Sequence, residues 1–322
     1  MRVFLKRAAL ALALFVFLPQ KVSAARLLIP VGEVIGISVE DETVTVAAFD
    51  EVLGAEAQAA GLRTGDQILK VDKTEIRQPE DIHQALKRSD GTVDVEILRE
   101  GKVRRLTLTP RITEDGPKLG VYLKQGVTGI GTVTWYDPQT GIFGALGHGV
   151  NTPSGSLVQM DQGTVYRAKV ASVKKGCSGT PGQLMGALED REPLGELTKN
   201  TDQGIFGTTH TPWQGIGIPA AQAEEIRTGS AAILATVRGS EVQEYSVEIL
   251  RIYPASRANG RNMLLQVTDP ALLEATGGIV QGMSGSPIIQ DGKLVGAVTH
   301  VLVNDPTTGY GIFIENMLDA AA

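Results

Sequence analysis

Gly282-Met283-Ser284-Gly285-Ser286-Pro287 runs directly into Ile288-Ile289-Gln290, then Asp291-Gly292, then Lys293 to Val298. Asp291-Gly292 is a two-residue hairpin signal between two β-rich runs, so the chain folds back on itself just after the hexapeptide. A hydroxyl nucleophile must be presented at a tight backbone turn, with backbone N–H groups aimed at a developing oxyanion, and glycine permits that geometry. Ser284 is therefore the candidate nucleophile, with Ser286 in support. The N–H groups of Gly282 and Ser284 form the candidate oxyanion hole. A bare Gly-x-Ser-Gly is more often a turn without chemistry. The proline and the hairpin that follow favour chemistry here.

The hexapeptide resembles the nucleophile box of chymotrypsin-like peptidases, Gly-x-Ser-Gly-x-Pro. A second stretch, Gly176-Cys177-Ser178-Gly179-Thr180-Pro181, fits the same pattern but leads into no hairpin. It also starts only 28 residues after His148, too few for half a barrel. It reads as a β-turn, with Cys177 as a buried small residue. His148 ends the apolar run Phe143-Gly144-Ala145-Leu146-Gly147 and is followed by Gly149, which places an accessible imidazole on a rigid element. His83 falls on a helix of the first domain, His210 in a Thr-rich loop, and His300 after the strand that follows the box. His148 is the expected base. A carboxylate should hold its tautomer; Asp269 keeps a His-Asp-Ser order, while Asp137, Asp161, Asp202 and Asp305 compete on spacing alone.

The whole chain fits this picture. Its 322 residues exceed one ordinary core, so two domains are expected. Thirty-eight glycines against 5% aromatics favour short strands joined by tight turns. A net charge of -6 provides no basic footprint and argues against nucleic acid as a partner. The single cysteine and four scattered histidines offer no metal-site spacing, and no cofactor is expected. Residues 1–24 carry a basic head, an apolar run of 11 residues from Ala8 to Leu18, and small residues at Val22-Ser23-Ala24. That is a secretory signal or a membrane anchor, the run being shorter than the ~20 residues of a spanning helix. Either way, the remainder is expected outside the cytoplasm.

Residues 29–110 read as one unit of alternating strands, with a short helix from Ala55 to Ala60 and a second starting at Pro79. Through Ala60-Gly61-Leu62-Arg63-Thr64-Gly65-Asp66-Gln67-Ile68-Leu69 this unit resembles a PDZ domain of the bacterial protease-associated kind. Ile35-Gly36-Ile37 is the candidate loop for a peptide terminus, which would add as a strand to the sheet edge. Residues 111–118 are a polar linker. From residue 119 to 322 short β-rich runs predict a barrel or sandwich, with helices expected only at Pro219 to Ile226 and Glu315 to Ala321.

Phe143 to Gly149, Gly277-Gly278-Ile279-Val280-Gln281 leading into the box, and Ala297-Val298-Thr299-His300-Val301 extend the resemblance. Asn304-Asp305-Pro306 and Gly309-Tyr310-Gly311-Ile312 continue it. On these residues the chain resembles the stage IV sporulation protein B family, PDZ-containing serine peptidases of endospore-forming bacteria. The resemblance implies a mainly β chain, an amino-terminal PDZ domain and a trypsin-like β-barrel peptidase domain, with His148, Asp269 and Ser284 as the triad. It also implies a signalling role in the space between forespore and mother-cell membranes. There the peptidase cleaves itself and then a membrane-anchored regulator, releasing intramembrane processing of a sigma-factor precursor. Peptide termini would be the partners of the PDZ domain. Asn151-Thr152-Pro153-Ser154 departs from the family in lacking acidic residues. Two other classes stay open: a PDZ-bearing quality-control protease, and a non-catalytic scaffold that binds peptide termini.

Overall fold

The computed structural model describes residues 26–152, 155–257 and 261–322. The segment expected to be a signal or anchor, at 1–24, lies outside the described residues. Among them no helix is long and apolar enough to cross a membrane.

Alternation of apolar and polar residues makes the chain mainly β. Along Tyr245-Ser246-Val247-Glu248-Ile249, for example, every second side chain is buried and the ones between are exposed. The first half of the chain carries β1 (Leu27–Pro30), β2 (Val34–Phe49), β3 (Gln67–Val71), β4 (Thr74–Glu75), β5 (Val93–Arg99), β6 (Lys102–Leu108), β7 (Arg111–Thr113), β8 (Gly116–Lys118), β9 (Val121–Tyr136) and β10 (Ile142–Ala145). The second carries β11 (Gln162–Lys174), β12 (Gln183–Thr201), β13 (Gly204–Thr209), β14 (Ile218–Pro219), β15 (Gly229–Arg238), β16 (Glu241–Ile252), β17 (Met263–Val267), β18 (Pro287–Gln290), β19 (Lys293–Leu302) and β20 (Asp305–Phe313).

Two closed barrels result. In the first, β2, β9, β10, β13, β12 and β11 pair in that order, and β11 returns to β2. Its interior holds Val133, Phe143, Ala145, Val165 and Ile205, none of them exposed. In the second, β15, β16, β17, β20, β19 and β18 close a ring around Ile233, Ile249, Leu265, Met283 and Ile288. Burying each such side chain stabilises the fold by about 1.5–3 kcal/mol. A third cluster, including Trp135, Phe206, Leu294 and Ile312, packs under the carboxy-terminal helix Ile314–Ala321.

The PDZ unit hangs from the first barrel. Strand β2 leaves the barrel and pairs through Val44 and Thr45 with β3, which continues to β5 and β6. The helices Ala55–Ala59 and Pro79–Lys87 cover that sheet, the second with Ile82, Ala85 and Leu86 buried as its sequence predicts. Asp66 of the quoted signature is buried and takes two bonds of 2.6 Å from the Arg99 guanidinium.

Three expectations need correction. The expected boundary at residue 29 is not a boundary, because Val34 to Val39 are strand residues of the first barrel, paired on both sides. Residues 111–118 are no free linker; β7 and β8 pair as a hairpin, and β8 lies against the helix Pro79–Lys87. The helix expected from Pro219 to Ile226 shrinks to a 3-10 turn, Ala223–Glu225, because Ile218–Pro219 pairs with β1 instead. The helix expected near Glu315 to Ala321 does form.

Candidate active site

The nucleophile loop is held from both barrels. Thr132, on β9, donates its N–H to the Ser284 carbonyl at 2.9 Å and its hydroxyl to the Gly282 carbonyl at 2.8 Å. From β19, Val298 accepts the Gly285 N–H at 2.8 Å. Gly282 and Gly285 have φ of +98° and +99°, backbone that side-chain-bearing residues rarely adopt. At Gly285 a Cβ would also lie 1.9 Å from the Thr132 carbonyl oxygen. With both carbonyls tied to Thr132, the N–H groups of Gly282 and Ser284 have no acceptor among the described residues. Two unpaired donors beside a serine are what an oxyanion hole requires.

His148 comes from the other barrel. Strand β10 ends at Ala145, and Leu146 and Gly147 follow with φ of +69° and +71°. A left-handed leucine costs about 1–2 kcal/mol, offset here by burial of its side chain. The turn brings His148 to a cleft between the barrels, with a cavity volume of about 490 Å³, whose lining includes Ile130, Leu146, Gly282, Ser284 and His300. The His148 Nδ1 lies 2.9 Å from the Gly149 carbonyl oxygen. A carbonyl only accepts, so Nδ1 carries the proton and Nε2 keeps the lone pair a general base needs. Burial pushes the imidazole below its ordinary 6.5, while the Gly149 bond opposes the shift. The Ser284 hydroxyl donates to the Thr299 carbonyl at 2.7 Å rather than to His148.

The structure places Asp269 elsewhere. Its carboxylate caps the helix Pro270–Thr276, accepting from Ala271 at 2.9 Å and Leu272 at 3.1 Å, and takes the Ser246 N–H at 3.3 Å. It makes no hydrogen bond or ion pair with His148 in this structure. The reason is local: Asp before Pro-Ala-Leu-Leu is a strong helix N-cap, and both oxygens are already used. Asp137 pairs with Arg26 at 2.7 Å, and Asp305 accepts from Thr307 and Thr308. Neither Asp161 nor Asp202 reaches the cleft, and no Asp or Glu lines it among the described residues.

His300 does reach it. Its ring centroid is 5.2 Å from that of His148, with the planes inclined by 41°. Pro287 pairs with Ala297 in the hairpin, and continuing that register brings His300 level with Ser284. The second box does not line the cleft. Cys177 and Thr180 close a β-turn, Ser178 donates to the Asn304 carbonyl at 2.8 Å, and Cys177 is exposed, not buried as expected, because it stands at the turn's rim.

The peptide-terminus loop also needs correction. Ile35 and Ile37 are buried in the first barrel, and Gly36 pairs with Tyr166 on one side and Ile130 on the other. No edge is free there. An open edge lies at Val121 to Leu123 of β9, which pairs with β2 on one side only. Its other side forms a groove with the helix Pro79–Lys87, lined by Leu53, Ile82, His83, Leu86, Leu119 and Tyr122 among others.

Comparison with known proteins gives three kinds of match. The family model described as SpoIVB peptidase S55 matches residues 115–318, and that of a PDZ domain residues 33–109. "Metalloprotease MmpA" of Caulobacter vibrioides is 35% identical over 106 residues, 32% of this chain and 26% of that protein. "Serine protease HTRA2, mitochondrial" of Drosophila sechellia is 34% identical over 65 residues, 20% of this chain and 15% of its own. The chain thus spans well under two thirds of the length of these curated relatives. Among solved structures, the active form of the Rv3671c protease of M. tuberculosis aligns with a TM-score of 0.37 and 17% identity, over 61% of this chain and 75% of that one.

Proposed function

The chain belongs to the SpoIVB peptidase S55 family and carries a PDZ domain, and from that premise we propose that it is a serine endopeptidase performing limited, signalling proteolysis. The observation that carries this is the convergence of Ser284, the unpaired Gly282 and Ser284 N–H groups, and the correct tautomer of His148 on one cleft. When substrate displaces the Thr299 contact, Ser284 Oγ turns to His148 and attacks the scissile carbonyl carbon. The hydroxyl proton passes to His148 Nε2, and the carbonyl π pair moves to the oxygen held by the two N–H groups. Collapse breaks the C–N bond, and the proton on Nε2 goes to the departing amine. Water then repeats the sequence and frees the acid product and Ser284.

The substrates we assign are the chain itself and a membrane-anchored regulator, outside the cytoplasm, in a cascade that activates intramembrane processing of a sigma-factor precursor during sporulation. Peptide termini would add to the Val121–Leu123 edge, with apolar side chains entering the groove against Ile82 and Leu86. Expression of the full chain and of Ser284→Ala, with fragments mapped by mass spectrometry, tests the proposal. Self-processing in the wild type and none in the variant is expected; identical fragments would remove the basis for it.

A further inference from the structure

We propose that Arg251, Arg257 and Arg261 form an anion subsite beside the cleft, built to take an acidic side chain of the peptide substrate. The inference deepens the peptidase reading and rests on Ser284 as its nucleophile. Its geometry begins at His300, which lines the cleft. His300 pairs with Tyr310, Tyr310 with Leu264, and Leu264 with Arg251. Directly paired residues share a face, so these four side chains form a row on the outside of the second barrel, while Leu265 and Val298 point into its core. The Arg261 and Arg257 guanidiniums stand 5.3 and 5.8 Å from the Tyr310 ring, one strand away from His300. The Arg261 charge reaches the cleft: His300 is lowered to about 4, first by burial and then by the charges of His148 and Arg261.

The cluster is rich in positive charge and lacks an acceptor. Arg257 lies 3.7 Å from the centre of the Tyr253 ring, and Arg251 lies 6.0 Å from it. The Arg257 guanidinium, and after it Arg251, hold the Tyr253 phenol below its ordinary value against the opposing effect of burial. None of the three arginines forms an ion pair among the described residues. Arg257 Nη1 and Arg261 Nε are buried without a hydrogen-bond partner there. Buried charged donors left without an acceptor are costly, and a carboxylate satisfies two at once. Stacking on a ring fixes a guanidinium plane and leaves its N–H edge free for that purpose. The surrounding backbone is held as well. Asn262 is fully buried, donates its amide to the Pro254 and Ala255 carbonyls at 2.9 and 3.3 Å, and accepts the Tyr253 N–H at 2.7 Å. A site held in this way loses little entropy when it binds.

A peptide cut at Ser284 passes His300. From His300 to Leu302, β19 pairs with β20 on one side, while β18 reaches no farther than Ala297 on the other. An extended segment therefore has an edge to follow. At ~3.3 Å per residue, the arginines come within reach of a side chain about three to four residues from the cut. Aspartate or glutamate there supplies the missing acceptor.

The test uses the full chain and two pools of internally quenched peptides, identical except that one carries Glu wherever the other carries Gln. An alkyl fluorophosphonate, which labels an activated serine, counts the active molecules in each preparation. Wild type is expected to cut the Glu pool with kcat/KM at least about tenfold higher, with Glu about three to four residues from the cut by mass spectrometry. In Arg257→Gln/Arg261→Gln the ratio between pools should fall to about one. Arg257→Lys/Arg261→Lys keeps the charge but not the planar fork and should retain part of the preference. Arg251→Gln, at a more exposed position, stands in if the double glutamine variant fails to fold, and should lower the ratio. Equal cleavage of the two pools by wild type would overturn the inference, as would an undiminished ratio in a folded glutamine variant. Phosphatidylglycerol vesicles that bind wild type but not the glutamine variant, with no preference for Glu, would assign the arginines to a membrane surface and overturn it equally. A wild-type chain that neither labels nor cuts would remove the peptidase reading, a distinct failure. Anisotropy with fluorescein-labelled forms of the same peptides then decides the subsite alone, equal affinity for Glu and Gln peptides overturning it.

Discussion

Ser284 and Ser286 are two residues apart, yet their hydroxyls face different surroundings. Ser284 is half-buried at the cleft and bonded to Thr299, whereas Ser286 is fully buried and its Oγ has no partner. An unsatisfied buried hydroxyl contributes a desolvation cost of about 1–3 kcal/mol. Ser286→Ala is therefore expected to keep fluorophosphonate labelling and to leave the unfolding midpoint equal or higher. A loss of labelling in a folded Ser286→Ala would mean that the wrong serine has been chosen. The choice between them was legible in the sequence, because the third place of the box precedes the glycine that opens the turn. The fate of Asp269 was not legible, since the same residue type serves as helix cap and as triad member, and only the placement of its oxygens separates the two.

At the scale of elements, β9 matters most. It begins at the open edge facing the helix Pro79–Lys87, passes along the cleft at Val127, Gly129 and Ile130, and ties down the nucleophile loop at Thr132. A peptide bound in the groove is thus attached to the strand that holds Ser284. Leu86→Glu places a charge in the apolar wall, and at least about tenfold weaker binding of a peptide with an apolar carboxy-terminal residue is expected, or about 1.4 kcal/mol. Fluorescence anisotropy with such a peptide measures it; unchanged affinity would place the terminus elsewhere. β-rich residues in β2 and β9 read as strand, but each is 16 residues long and serves two units. Local patterning carries no mark of where along a continuous strand one domain gives way to the next.

For the whole molecule, the cleft between two six-stranded barrels partly withdraws both imidazoles from water, and that has a consequence for stability. Both His148 and His300 have folded values below 6.5, the latter about 4. Between the lower folded value and 6.5 the unfolded chain binds more protons than the folded one, so stability rises with pH across that window and is lost on acidification. Denaturant midpoints should fall steadily from about pH 7 to about pH 4.5, and less steeply in His300→Phe. Asp137, Asp305 and Asp81, all held below their ordinary value by hydrogen bonds or ion pairs, add a further loss only at lower pH. A midpoint that stays flat over the histidine window would show that the cleft is wetter than its geometry.

The box at Ser284, the Asp291-Gly292 hairpin, His148 behind its apolar strand and the signature around Asp66 were all determined by the sequence, because each is a matter of residues adjacent in the chain and of turns with fixed chemistry. The mainly β character followed from alternation in the same way. Closure of the two rings, the use of Asp269 as a cap, the burial of Ile35 and Ile37 with an open edge left at Val121–Leu123, and the meeting of His300 with His148 were decided only in three dimensions. The last of these joins side chains 152 positions apart, from His148 to His300, on separate barrels. Such a contact depends on how two closed sheets pack, and no local propensity encodes it.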